Sequence, residues 1–578
     1  MAFTSQQKHY IKKNIKKLSV RQLADDLELP EKEIMKFLKK HRLDERYGLK
    51  DTQSYLEKFS DSAKAFNFHQ FISDNFPFFI ILFLLVLVTY FNSLNNGFVS
   101  DDIAPILKDP NIGKIGTVFS FPVTGFVQRL IYFTAFKLGG LTPIYFRSFN
   151  ILFHLGSVFL LFTILRILTT RNIALFAAAL FAVHPMLSEA VAWISGMPYT
   201  LYTFFFLLSL LFYVLRPKGQ KYFYCSLVAF ALAIIAADNK ALVLFLVFPL
   251  YELSFGNLKL NWKRAIPYFL LCLFVIITIM SSIGTRLTAL NTNYYEDSSG
   301  FYNPLIQIPV ALSSYLGLLM WPQKLTLYHT EMIFSPLQMV FFWIIILSLM
   351  YLAYWGFRKN RMIFFWLSFF VIALLPTLTP LKVAWIVAER YAYLGSIGIF
   401  IIIAYFLDWI IKKFNDPRFS QIFYALFAII IVALSVRTIV RNVDWKDEDH
   451  LWPATLAVSP SGAPIHNNMG DVYARAGNFE KAAAEFKKAT EINPGYGDAY
   501  HNLGNTYQQL QRYPEALDAY QKAVSLNPNI WQSYQNMASI YYTQGDNQKA
   551  LEFIQKALAI NPNDQGLQDN LKVISGQN

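Results

Sequence analysis

Charged residues are scarce in this chain of 578 residues, and cysteine is almost absent. Asp, Glu, Lys and Arg make up 15% of the sequence, whereas soluble domains average about 25%. The two cysteines, Cys225 and Cys272, lie in apolar stretches, which excludes a disulfide-bonded scaffold. Because 54% of the residues are hydrophobic, a disordered chain and a wholly soluble enzyme are excluded as well.

Motifs that bind nucleotides or zinc are also missing. The sequence has no Walker loop, no glycine-rich dinucleotide fingerprint and no zinc-ligand spacing. We therefore assign no metal-binding residue and no cofactor; a divalent ion stays an open alternative that no residue pattern supports. A transferase that works outside the cell without a nucleotide needs a donor that arrives in the membrane, and a lipid-linked sugar meets that need.

Long apolar segments are what the sequence has in abundance. A helix needs about 20 apolar residues to cross a bilayer core. Eleven spans are predicted, at 76–94, 147–167, 172–187, 197–216, 221–237, 240–255, 265–283, 336–356, 362–380, 392–411 and 421–438. The sequence thus predicts an all-α fold with a polytopic membrane domain over 76–441, and the remaining apolar run at 304–321 is assigned to the outer face as an interfacial or re-entrant helix.

Basic residues favour an inside location for the N-terminus. With that orientation, the short inner loops hold Arg171, Arg216, Lys218, Lys221, Lys259, Lys263, Arg264, Arg358, Lys359, Arg361, Lys412, Lys413 and Arg418. The outer loops are poorer in Lys and Arg for their length, which is the positive-inside pattern. An odd number of spans then places the head (1–74) in the cytoplasm and the C-terminal zone (442–578) outside, in a periplasm or a lumen.

The C-terminal zone repeats with a period of 34 residues. Segments 461–494, 495–528 and 529–562 align without gaps. One equivalent position holds Gly, Gly and Ala in the three segments, another holds Tyr in all three, and the last holds Pro in all three. This is the tetratricopeptide repeat (TPR) pattern, an α-solenoid of helix pairs. The stretch 445–460 is predicted to be a degenerate leading repeat, and the residues after Asn563 a capping helix.

The charged head resembles a small helix-turn-helix module. Ser19 and Gln22 suit a capping box, a turn around Glu28–Pro30 follows, and a second helix is predicted at 31–40. Nucleic-acid binding on the inner face is one interpretation. A solvated helical hairpin or a partner-docking element is the other, and it is favoured because helix-turn-helix hairpins also recur without DNA.

Asp101 and Asp102 are adjacent in the loop that follows the first predicted span. Two neighbouring carboxylates repel each other, which raises one pKa, and a carboxylate with a raised pKa suits a general base that acts on a hydroxyl. A helix cap or a turn is the usual role of such a pair in a loop. From the residues alone, both interpretations stay open.

A second group of polar residues lies at the outer end of a predicted span, in HPMLSEAVAWISGMPYTL. It holds His184 and Glu189, and such residues near a bilayer are expensive and often functional. A local His–Glu hydrogen bond that holds the turn is the alternative. Arg129 and Lys240 are further candidates for phosphate binding, although Lys240 could equally mark the membrane interface.

A third group lies in VAERYAYLGSIG, where Glu389 and Arg390 precede an apolar segment and Tyr391 and Tyr393 follow. The planar guanidinium of Arg390 suits a phosphate, so Arg390, Tyr391 and Tyr393 are candidate donor-binding residues. A structural Glu389–Arg390 pair at a helix entrance is the alternative.

Several blocks resemble the transmembrane and tetratricopeptide repeat-containing O-mannosyltransferases, within the GT-C glycosyltransferase superfamily. They are FVSDD in the first loop, LGGLTPIYFRSFNILFH at 138–154, LFAVHPMLSEAVAWISG at 180–196, AERYAYLGSIG at 388–398, and the junction WKDEDHLW before the repeats. The resemblance covers about 76–578, and the head is not part of it.

This resemblance implies a GT-C membrane fold and a polyprenyl- or dolichyl-phosphate sugar as donor, often of mannose, with a protein hydroxyl as acceptor. It further implies that Asp101 or Asp102 is the base, that Arg390 contacts the donor phosphate, and that the TPR array presents the acceptor protein. The chain departs from the family pattern at Met197-Pro198 and Asn239-Lys240, where an Arg followed by an acidic residue, and a Lys-Glu pair, are usual. These departures affect expected donor-binding positions.

The sequence leaves two main functional hypotheses, and a transporter or a lipid-glycan-modifying transferase as further alternatives. The leading hypothesis is a membrane glycosyltransferase that transfers mannose or another hexose from a polyprenyl-phosphate sugar to a protein hydroxyl. The alternative is a non-enzymatic membrane scaffold whose TPR array binds protein partners.

Overall fold

A computed structural model describes residues 3–15, 23–24, 26–41, 60–120, 124–280, 303–378 and 385–576. Over these ranges the chain folds into helices, without a β-strand. The predicted all-α fold is therefore confirmed.

The head contributes two described helices, Ser5–Asn14 and Glu31–Lys40. They enclose a small apolar core that includes Ile11, Leu23 and Leu38. The second helix lies where the sequence predicts it, whereas the predicted helix start at Ser19 lies outside the described residues. The helix-turn-helix interpretation stays a prediction.

The membrane domain consists of apolar helices, since a backbone in a bilayer must satisfy its own hydrogen bonds. The α-helices of more than eight residues are Phe68–Tyr90, Phe126–Gly139, Pro143–Leu168, Arg171–Val183, Met197–Leu215, Gln220–Ala237, Val247–Phe255, Ile266–Met280, Pro304–Met320, Pro336–Lys359, Arg361–Leu374, Ser396–Phe414 and Pro417–Asp444. Shorter α-helices lie at Ile115–Val118, Ser188–Ala192 and Leu258–Asn261.

The predicted count of eleven spans is not confirmed. Six helices in the described part of the chain are long and apolar enough to cross a membrane, or seven if the pair Arg171–Val183 and Pro185–Ala192, bent by 54°, forms one span. Helices at Gln220–Ala236, Pro304–Met320 and Arg361–Thr377 are apolar but shorter. Helical segments thus lie where the spans are predicted, but several lack the length that a crossing requires, so the sidedness of the two ends stays a prediction.

The C-terminal zone is an array of antiparallel helix pairs. Its helices are Ala463–Arg475, Phe479–Ile492, Gly497–Gln509, Tyr513–Leu526, Trp531–Thr543 and Asn547–Ile560, followed by the predicted capping helix, Gln565–Ser575. A Cβ atom on Gly470 would lie 2.7 Å from the Phe486 ring, and one on Gly504 would lie 2.6 Å from the Tyr520 ring. The small residues of the repeat are therefore required for close packing within each pair.

The helix Glu448–Val458, here called the leading helix, joins the array to the membrane domain. It follows the long helix Pro417–Asp444 after a three-residue turn. Leu451 and Trp452 of the leading helix share one apolar core with Val99 of the first loop and Trp193 of the membrane domain. The leading helix thus packs against the region of the predicted site, directly before the array.

Candidate active site

The first loop is folded tightly around Asp102. A 3-10 turn spans Ser100–Asp102, and the Asp102 side chain is fully buried. Its Oδ1 accepts hydrogen bonds from the Ser195 backbone N–H at 2.7 Å and from the Ser195 hydroxyl at 2.5 Å. Its Oδ2 accepts one from the Val99 N–H at 3.2 Å. Asp102 therefore joins the first loop to the start of the helix Met197–Leu215.

Burial raises the pKa of Asp102 to about 6, although hydrogen bonds from Ser195 and Val99 and the positive charge of Arg147 oppose the rise. The main cause is desolvation, whereas the sequence predicts repulsion between the two carboxylates. Its oxygens already bind backbone and side-chain donors, so Asp102 has the environment of an anchor.

Asp101 differs from its neighbour because its side chain is exposed. Partial desolvation by the surrounding loop raises its pKa, and the positive charge of Arg390 lowers it. This carboxylate is thus accessible and lies within electrostatic reach of the predicted phosphate ligand. Of the two predicted bases, Asp101 is the one that an incoming hydroxyl can reach.

Arg147 binds the backbone at the start of the first loop. Its side chain is fully buried at the start of the span Pro143–Leu168. The guanidinium donates to four backbone carbonyls, those of Asn96 at 2.5 Å, Ala192 at 2.6 Å, Gly97 at 2.8 Å and Leu94 at 3.4 Å. Because these donors are occupied, Arg147 is placed to support the loop rather than to bind a phosphate.

Arg390 is held by Glu189 in a buried ion pair. The Arg390 Nη1 contacts Glu189 Oε1, and the Arg390 backbone N–H donates to Oε2 at 2.7 Å. Glu189 is fully buried, while the Arg390 side chain keeps 11% of its surface exposed. The Nε and Nη2 donors of Arg390 have no hydrogen-bond partner among the described residues. The carboxylate thus fixes the cation while leaving donors for an anion.

Aromatic rings surround the Arg390 guanidinium. Its central carbon lies 5.1 Å from the ring centroid of Tyr391 and 5.5 Å from that of Trp193. The Tyr391 ring lies 6.1 Å from the Tyr199 ring, and the ammonium of Lys240 lies 5.5 Å from the centroid of the Tyr199 ring. Two of the predicted phosphate ligands, Arg390 and Lys240, are therefore linked through a pair of tyrosines, whereas the Asn239 side chain lies outside the described residues.

Gly196 allows two backbone segments of the site to pack closely. A Cβ atom at Gly196 would lie 2.6 Å from the Glu189 carbonyl oxygen and 2.8 Å from the Ala190 carbonyl oxygen. Those contacts are with backbone, which cannot move aside cheaply. The glycine of the WISG block is therefore needed to bring Ser195, the partner of Asp102, close to the helix that carries Glu189. At the departure that follows, Met197 is buried and Pro198 occupies the first turn of its helix, a position that tolerates proline.

Three predicted site residues have other partners. His184 accepts from the Met186 N–H and lies 3.0 Å from the Leu319 carbonyl oxygen, so it caps a turn and makes no hydrogen bond to Glu189. The Tyr393 hydroxyl lies 2.6 Å from Nδ1 of buried His154. Arg129 donates to the carbonyls of Val118, Ser120 and Thr124, which holds the second half of the first loop. The structure does not bring these three to the Asp101–Arg390 region.

The Glu389–Arg390 pair suggested as an alternative does not form. Glu389 is buried beside Arg441, with 3.5 Å between Glu389 Oε1 and Arg441 Nη2. His329 lies 3.8 Å from the same oxygen. Glu389 and Arg390, which are adjacent in the 3-10 turn Glu389–Ala392, thus pair with different residues of opposite charge, Arg441 and Glu189. The predicted apolar helix begins later, at Ser396.

Three members of this site, Arg147, Trp193 and Ser195, were not predicted from the sequence. Arg147 carries a signal that could have identified it, because an arginine inside an apolar helix is rarely without function. Trp193 and Ser195 carry none, since their roles depend on contacts with residues about 93 positions away. Within the described ranges, no group of three His, Cys, Asp or Glu side chains is placed to hold a metal ion.

Comparison with known proteins supports the resemblance and the repeats. The tetratricopeptide repeat family matches residues 461–529 and 496–563. Protein O-mannosyl-transferase TMTC3 of Homo sapiens is 25% identical over 473 residues, which covers 71% of this chain and 51% of that protein. The Caenorhabditis elegans protein O-mannosyl-transferase F38B6.6 is 24% identical and covers 72% of this chain and 63% of its own length.

A solved structure with similarity to the chain is that of the MamA protein, at 22% identity, with a TM-score of 0.21 and 22% of this chain covered. The part of this chain that matches TMTC3 is longer than the repeat zone, so it includes sequence of the membrane domain. The chain spans about half of the length of TMTC3. The predicted resemblance is confirmed: this chain is similar to protein O-mannosyl-transferases of the TMTC type and carries a TPR array.

Proposed function

We propose that this protein is a membrane glycosyltransferase that moves mannose or another hexose from a polyprenyl-phosphate sugar to a hydroxyl of an acceptor protein. The observation that carries the proposal is an exposed carboxylate, Asp101, whose pKa is raised by desolvation and lowered by the positive charge of Arg390, a cation with donors that no described residue uses. The names of the relatives support the same reaction class.

Asp101 is the proposed general base. It accepts the proton of a Ser or Thr hydroxyl, and the oxygen forms a bond to the anomeric carbon of the sugar. The bond between that carbon and the phosphate oxygen breaks, and its electron pair leaves with the lipid phosphate. Attack opposite to the leaving group inverts the configuration at the anomeric carbon.

Arg390 is the proposed partner of the leaving phosphate. A guanidinium can donate two parallel hydrogen bonds to a phosphate, and Nε and Nη2 are available for this purpose. Glu189 keeps the cation fixed before the donor arrives, so little reorganisation is needed when negative charge develops. Lys240, near the same tyrosines, is a second basic residue on that side of the site.

The TPR array is proposed to present the acceptor protein. Such arrays form extended surfaces that bind protein segments, and here the array is packed directly against the first loop through its leading helix. The alternative, a non-enzymatic scaffold, uses the same array but needs neither Asp101 nor Arg390.

The decisive experiment compares Asp101→Asn and Asp102→Asn in membranes supplied with polyprenyl-phosphate mannose and an acceptor protein. Loss of a general base costs about 10²- to 10⁴-fold in rate, so Asp101→Asn should lose transfer while the fold is retained. Asp102→Asn should lower thermal stability as well, because Asn cannot accept from both Ser195 and Val99. Unchanged transfer by Asp101→Asn would refute the assignment of the base.

Deletion of 461–578 separates the two roles of the chain. The truncated protein keeps the leading helix and the first loop, so donor binding should persist while use of the protein acceptor falls. Equal losses of donor binding and acceptor use would argue against acceptor presentation by the array. If the full chain shows no transfer with any lipid-phosphate hexose, the scaffold function takes precedence.

A further inference from the structure

Two buried tryptophans connect the site to the start of the repeat zone. The rings of Trp193 and Trp445 stack at 5.7 Å between centroids, with 19° between their planes. Trp193 is 3% exposed and Trp445 is 0% exposed. Trp193 belongs to the membrane domain, whereas Trp445 lies in the turn before the leading helix, so the contact crosses the junction between the two.

An arginine lies near each of the two stacked rings. The guanidinium carbon of Arg390 is 5.5 Å from the Trp193 ring, and that of Arg441 is 5.4 Å from the Trp445 ring. Arg390 is paired with Glu189, and Arg441 lies beside Glu389. Each of the two stacked indoles therefore has a guanidinium beside it, Arg390 at Trp193 and Arg441 at Trp445.

The backbone of the first loop is joined to the same segment. The Gly97 N–H donates to the Lys446 carbonyl at 2.6 Å, and the Asn96 side chain donates to the Asn442 carbonyl at 2.7 Å. The Trp193 indole N–H donates to the Val99 carbonyl at 3.2 Å. The chain from 442 to 446 therefore contacts the loop that carries Asp101, four to five residues before the proposed base.

We infer that Trp445 is a positioning residue: by stacking on Trp193 it sets the placement of Arg390 and of the first loop, so that the start of the repeat zone forms part of the transfer site. This inference rests on the proposed function and deepens it. It divides the C-terminal zone in two, because the turn and leading helix (445–458) serve the chemistry while the repeats from 461 onward serve the acceptor.

Trp445 acts through the stacking of its ring and not through a hydrogen bond of its indole N–H. Its indole N–H makes no hydrogen bond to any described residue, whereas the N–H of Trp193 does. Phenylalanine can therefore replace Trp445 and keep an aromatic ring that contacts Trp193 and lies beside Arg441. Alanine at the same position removes the stack and leaves a cavity.

The test uses the full chain with both native cysteines replaced, Cys225→Ser and Cys272→Ala, and a single reporter, Asp101→Cys. The rate at which a membrane-impermeant maleimide labels the reporter measures the placement of the loop and does not require activity. Trp445→Ala should change that rate at least fivefold, while Trp445→Phe should stay within twofold of the parent. Trp531→Ala, which removes an indole from the third repeat, is the matched control and should also stay within twofold.

Transfer is measured separately with Asp101 in place, polyprenyl-phosphate mannose as donor and a protein acceptor. Trp445→Ala should lower kcat at least tenfold with the acceptor KM unchanged, and Trp445→Phe should restore most of it. A loss confined to the acceptor KM, or labelling that is the same for all variants, would overturn the inference. If the parent shows no transfer, the proposed function fails alone, and the labelling rates still decide whether Trp445 positions the loop.

Discussion

Replacing Arg147 tests whether the first loop is held by the membrane domain. We consider Arg147→Met, which keeps an unbranched side chain of similar length but removes every donor. Two of the lost hydrogen bonds, to Asn96 and Gly97, hold the loop itself, at 2.5 and 2.8 Å. The neighbouring Asp102 loses the favourable charge of Arg147 as well.

The expected magnitude follows from these contacts. A hydrogen bond to a charged group contributes about 1.5–3 kcal/mol, so loss of the two loop contacts should lower the free energy of opening the loop by at least about 3 kcal/mol. At about 1.4 kcal/mol for each factor of ten, amide exchange in the loop should become roughly a hundredfold faster. Arg147→Lys should recover part of this loss, because an ammonium keeps the charge but lacks the planar fork.

Hydrogen exchange with mass spectrometry, on the protein in detergent, measures the effect on peptides that cover 94–102. The matched control is Arg166→Met on the same helix, since Arg166 contacts Asn75 at 3.1 Å and not the first loop. Peptides from the repeats should be unchanged in both variants. Equal exchange of 94–102 in the Arg147→Met variant and the parent protein would refute the idea that this arginine holds the loop.

Three further predictions concern pH, packing and topology. The pKa of Asp102 rises from 3.8 to about 6 on folding, so protonation of Asp102 stabilises the folded loop below about pH 4, and this stabilisation is lost as the pH rises to about 6. Amide hydrogen exchange of residues 99–102, corrected for intrinsic rates, should become faster over that pH range. The Asp102→Asn variant should not show this pH dependence. Gly504→Ala brings a Cβ within 2.6 Å of the Tyr520 ring and should lower the Tm of the array through overpacking of about 1–3 kcal/mol, whereas Gly497→Ala, with no contact under 3.5 Å, should not. Cysteines introduced into the head and into the repeats should react with impermeant reagents on opposite sides of the membrane, and labelling of both from one side would refute an odd number of spans.

The local pattern of the sequence was sufficient for the helical elements. Hydrophobic runs predict the membrane helices, and a 34-residue period predicts the repeats and the capping helix at Gln565–Ser575, because burial and repeat packing depend on residue spacing along the chain. Helix length was harder to predict: the predicted spans 240–255 and 362–380 hold α-helices only at Val247–Phe255 and Arg361–Leu374, since 3-10 segments at Asp238–Leu246 and Leu375–Thr377 interrupt apolar sequence without a change in its composition.

Only the tertiary structure separated Asp101 from Asp102. The two are chemically identical neighbours in the sequence. Ser195, 93 residues away, donates to Oδ1 of Asp102, whose side chain is buried, whereas the Asp101 side chain stays exposed. The partners of Glu389 and Arg390 were decided in the same way, by Arg441 and Glu189. Charge pairing depends on which elements meet in space, and that information is absent from the spacing of residues along the chain.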